Sequence, residues 1–157
     1  MTLPPPPPVV DASLPPPPPP IQRTLMVRAN RPGQLTIGWR IAFGVGWGGI
    51  VLSLGAVWTS SRILGLSTWW LGPEAEPRSF IVQLCPFVLP VLAVIGSMRN
   101  WRRLPALGVA AAAALAAIAA GDLNRFYRFG LVELAIALAG AMVSLAAIAG
   151  MYRQARS

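Results

Sequence analysis

The chain reads as an all-α membrane protein, with four transmembrane helices behind a disordered, proline-rich N-terminal tail. Three observations predict this. First, four apolar stretches lie at 39–61, 80–98, 104–121 and 131–152. At 1.5 Å rise per residue each is long enough to cross, or nearly cross, a hydrocarbon core about 30 Å thick. Second, 55% of residues are apolar and only 11% are charged, against about 25% charged in a soluble domain. The surface must therefore face lipid. Third, the basic residues gather mostly in segments that flank the apolar stretches, as topology demands of a multi-pass protein.

Residues 1–38 form the tail. Two proline runs begin at Leu3 and Leu14. Proline lacks an amide donor and has a fixed φ, so the runs cannot be helix or sheet core. They are expected as a polyproline II arm, either a soluble tail or a ligand for an aromatic-lined groove. Arg23, Arg28, Arg31 and Arg40 precede the first apolar stretch, a pattern suited to anionic headgroups.

Stretch 39–61 is glycine-rich, with Trp39 and Trp58 placed where an interfacial aromatic belt would sit. Gly44 and Gly48 form GxxxG, which lets a second helix backbone approach closely. The connection 62–79 carries Trp69 and Trp70, expected to lie on the membrane surface. It also carries Glu74 and Glu76 between prolines, read as a solvated loop. In 80–98, Pro86 and Pro90 share a face and each removes a backbone hydrogen bond. Cys85 lies in this stretch and is expected to be a small buried apolar side chain.

The turn at 99–103 is strongly basic. Stretch 104–121 opens with Pro105 in its first turn, and ten of its residues are alanine, so it is expected among its neighbours rather than fully in lipid. The connection 122–130 holds Asp122, Arg125 and Arg128. In 131–152, Glu133, Ala137, Gly140, Ser144 and Ala147 recur at helical spacing and make one small, polar-tinged stripe. Glu133 is the only acid within the four stretches. Intramembrane acids are functional candidates by default. The expected roles are a salt bridge with Arg125 or Arg128, or a proton or cation site. Residues 153–157 close the chain as a short basic tail.

With four spans the termini share a side. Nine arginines fall on that side and four on the other, so both termini are expected in the cytoplasm and the protein in the plasma membrane. All 13 basic residues are arginine, which together with abundant Ala, Gly and Pro fits a GC-rich bacterial coding sequence. The net charge of +8 is explained by topology and anionic lipid rather than nucleic acid. With no histidine and one cysteine, no cofactor or metal is expected, and hydrolase and kinase signatures are absent. The expected function is non-enzymatic: an accessory or scaffold subunit packing through Gly44, Gly48, Gly140 and Ser144 against other membrane proteins or itself. The alternative is a small oligomeric transporter or channel that uses Glu133.

Overall fold

A computed structural model describes residues 32–151. The proline-rich arm, Arg23, Arg28, Arg31 and the tail at 153–157 lie outside the described residues. Four helices follow in order: α1 (Ile37–Ile63), α2 (Phe80–Met98), α3 (Leu104–Leu123) and α4 (Tyr127–Ile148). All four are long and apolar enough to cross a membrane. They form a ring in which α1 meets α2 and α4, and α3 meets α2 and α4, with the most extensive contact between α3 and α4. Their outer faces carry large apolar side chains such as Leu52, Ile81, Val88, Leu138 and Met142, all exposed. In lipid that exposure carries no hydrophobic penalty.

The core begins with Phe43 and Trp47 of α1, both fully buried. The indole N–H of Trp47 donates to Ser144 Oγ of α4 at 3.3 Å, and the Ser144 hydroxyl donates to the Gly140 carbonyl at 2.7 Å. Small residues let these helices close. A Cβ at Gly108 of α3 would meet the Ser144 hydroxyl and, at 2.9 Å, the Phe43 ring. α4 buries Gly130, Glu133, Ala137, Gly140, Ser144 and Ala147, a single face of the helix. α2 is helical through Pro86 and Pro90, both buried. Neighbouring helices and local adjustments accommodate the freed carbonyls. Cys85, by contrast, is exposed. It lies about 200° around the helix from the buried Gln83, so the burial expected for it does not occur.

Helix limits differ from those expected at 39–61, 104–121 and 131–152. α1 runs two residues further at each end, and α3 runs two residues further, to Leu123. α4 starts four residues earlier, because the α3–α4 turn is only three residues long. Gly130 makes that tightness workable, since a Cβ there would sit 2.7 Å from the Leu123 backbone nitrogen. α4 also stops at Ile148. The chain then pairs Met151 with Leu35 in an antiparallel bridge, and the Thr36 N–H donates to the Gly150 carbonyl at 3.1 Å. Both ends of the described chain therefore meet at one end of the bundle. The 99–103 turn joins them there: the Arg103 N–H donates to the Gly33 carbonyl at 3.0 Å, and Gln34 Nε2 to the Asn100 carbonyl at 3.0 Å.

At the opposite end, the α1–α2 connection departs from expectation. Trp70 and Leu71 are buried between the helices instead of lying on a membrane surface. They pack with Val57, Phe87, Phe129 and Ile136 in a second apolar cluster. The rings of Trp58, Trp70 and Phe87 form a triangle with centroids 5.8 to 6.1 Å apart, within the range of favourable aromatic pairing. After Leu71 the chain reverses at Gly72, whose φ of +71° favours glycine. The Arg78 N–H then returns to the Leu71 carbonyl at 3.1 Å.

Candidate functional site

The polar residues of the buried interior concentrate beneath this loop. Asp122 lies in the last turn of α3 and is completely buried; Glu133 lies two turns into α4 and is 3% exposed. The short α3–α4 turn brings the two acids to one place. The backbone N–H of Trp69 donates to Asp122 Oδ1 at 2.8 Å, and the indole N–H of Trp70 donates to Glu133 Oε1 at 3.0 Å. Trp69 also donates its indole N–H to the Ile118 carbonyl at 2.9 Å. Two consecutive tryptophans thus fasten the loop to both helices of the hairpin. Arg62, in the last turn of α1, holds the same loop from the other side through the carbonyls of Leu71 and Gly72, each at 3.4 Å.

Asp122 Oδ2 and Glu133 Oε2 are buried and receive no donor from the described residues. The two carboxyl groups lie within hydrogen-bonding reach of each other. Thr68, next to Trp69, also buries its hydroxyl without a partner. Glu133 makes no ion pair with Arg125 or Arg128; its donor is the Trp70 indole, and the Asp122 carboxyl lies beside it. The geometry gives the reason. Arg128 is five residues before Glu133 on the same helix, about 140° around it. Both arginines are exposed at the end of the bundle.

Gly140 and Ser144 sit inside the bundle, as described. Gly44 sits in the α1–α2 contact, where a Cβ would meet Ser97 Oγ at 2.6 Å. Gly48 meets nothing within 4 Å, and neither do Gly49 and Gly55. Gly49, with exposed Ser53, Ala56 and Ser60, gives α1 a small-residue stripe on its outer face. A cleft beside that face is lined by Gly49, Ser53, Val132, Ala135 and Ala139 of α1 and α4.

Sequence reasoning singled out Glu133 but missed Asp122, Trp69 and Trp70 as its neighbours. The signal was an acid immediately before a tight turn, followed by a second acid two turns into the next helix. Reading it requires knowing that the two helices stay in contact as far as the turn.

These features define a multi-pass membrane protein with four spanning helices and a buried polar site under one loop. No protein-family model matches the chain, and neither a curated protein nor a solved structure is similar enough to count as a match.

Proposed function

We propose that the protein is a non-enzymatic accessory or scaffold subunit that packs laterally against another membrane protein through α1. One observation carries this reading: Gly49, Ser53, Ala56 and Ser60 are exposed along one stripe of α1, and a side chain at Gly49 would enter open space. Between membrane helices there is no hydrophobic driving force, so association depends on close van der Waals approach. Small residues permit that approach. A helix facing only lipid gains nothing from such residues.

The polar interior supports the same reading over transport. Glu133 lies beneath Trp70, with each indole or amide contact serving to hold the loop rather than to line an opening. The arginine distribution completes the proposal. Arg40, Arg99, Arg102 and Arg103 belong to the end where the described chain begins and finishes, which we assign to the cytoplasmic side of the plasma membrane. The proline-rich arm then extends into the cytoplasm, available to a partner.

The test is gentle detergent extraction of the tagged protein, with Gly49→Leu and Ser53→Leu as variants. Co-purification of one defined partner membrane protein, lost in the variants while the bundle stays folded, supports the proposal. A monomer free of partners, unchanged by either variant, refutes it.

A further inference from the structure

Asp122 and Glu133 pose a problem in charge and hydrogen bonding that the other described residues do not solve. An ionised carboxyl is acceptor-only, whereas a protonated one has an O–H to donate. Each of these carboxyls receives one donor, from the Trp69 amide or the Trp70 indole. Each has a second oxygen that receives none. Two ionised carboxylates in contact would repel, in a place shielded from water, where an uncompensated charge is most costly.

Three agents can neutralise such a pair: a cationic side chain, a metal ion or a proton. The charged groups on every surrounding element bear on the first. From α1, Arg62 is directed to the carbonyls of Leu71 and Gly72. From α2 come Val82, Phe87 and Gln83, all uncharged; the Gln83 amide donates to the Arg78 carbonyl. In the loop, Glu74, Glu76 and Arg78 are exposed. In the α3–α4 turn, Arg125 acts on Asp122 through its field alone, and Arg128 of α4 is exposed. Among the described residues no cationic side chain hydrogen-bonds either carboxyl. A metal ion of the hard, oxygen-seeking kind takes six or more ligands, and among the described residues no third acid, histidine or cysteine joins the pair. A proton needs no further ligand. It supplies the missing donor and removes one of the two charges.

We propose that Asp122 and Glu133 form a buried one-proton site, in which a single proton is held in a hydrogen bond between the two carboxyls. The site carries one negative charge, partly offset by the field of Arg125. The loop closes over it, with Trp69 fixing the Asp122 carboxyl and Trp70 fixing that of Glu133. The proton is therefore part of what fastens the α1–α2 connection to the α3–α4 hairpin. This inference is independent of the partner assigned to the outer face of α1.

The test is infrared spectroscopy of the full-length protein in lipid vesicles at neutral pH, reading the carbonyl stretch of protonated carboxyl groups. It compares wild type with Asp122→Asn, Glu133→Gln and the loop control Glu74→Gln. The expected result is a band equivalent to one protonated carboxyl per chain, kept in Glu74→Gln and lost in both Asp122→Asn and Glu133→Gln. In the amide variants the new N–H₂ donates to the remaining carboxylate, which then needs no proton. Absence of the band in wild type, or its appearance only when sodium is removed, would mean that a cation holds the pair and would overturn the proposal. A band that persists in both variants, or one of double intensity, would overturn it too. If one variant fails to fold, the wild-type intensity and the other variant still decide.

Discussion

Glycine substitution separates the interior of this bundle from its outer face, and Gly130 is the sharpest case. In Gly130→Ala the added Cβ would lie 2.7 Å from the backbone nitrogen of Leu123 and 2.9 Å from its Cα. These are main-chain atoms at the end of α3, so no side chain can rotate away. The α3–α4 hairpin must open, and overpacking of this kind costs about 1–3 kcal/mol. Alanine's better helix propensity returns at most about 1 kcal/mol. Gly49→Ala gains the same propensity and meets nothing within 4 Å, so it should be neutral or stabilising. At roughly 3 °C per kcal/mol for a domain of this size, the two variants should differ by several degrees in midpoint. Thermal unfolding in one detergent, monitored by tryptophan fluorescence, measures the difference. Equal midpoints, or a lower midpoint for Gly49→Ala, would refute the placement of these helices.

The remaining predictions concern the buried polar contacts. Trp70→Phe keeps a ring against Trp58 and Phe87 but removes the donor to Glu133, and should cost about 1–3 kcal/mol in the same unfolding assay. Glu133→Ala should destabilise more than Glu133→Gln, because glutamine still accepts from Trp70 and can donate to Asp122; guanidinium or thermal unfolding of the pair checks the order. Ser144→Ala leaves the buried Trp47 indole without its acceptor and should lower stability by about 1 kcal/mol or more.

Much of the architecture was legible because membrane helices leave a strong mark. Length, apolarity and flanking charge fix four spans almost independently of packing. The 3–4 spacing of Glu133, Ala137, Gly140, Ser144 and Ala147 likewise marks one side of α4, and those five residues are buried. The connection 64–79 was not legible. Trp69 and Trp70 suit an interface as well as an interior, and only the space between the helices decides which they occupy. Asp122 was read as part of a polar turn because nothing in its neighbours reveals that α3 continues to Leu123. The glycines of α1 divide in the same way. GxxxG names Gly44 and Gly48 together, yet Gly44 faces α2 and Gly48 faces outward. They are four residues apart, about 40° around the helix, and that rotation is enough to carry one of them out of the α1–α2 contact.

The role we propose for α1 is to offer its small-residue outer face to another membrane protein. The most direct measurement is native mass spectrometry of the tagged protein extracted from its own membrane in mild detergent. Lateral packing through α1 should yield one complex of defined stoichiometry with a second membrane protein, lost when Gly49 and Ser53 are both replaced by leucine. A protein that leaves the membrane alone, with the same mass before and after those substitutions, would contradict it.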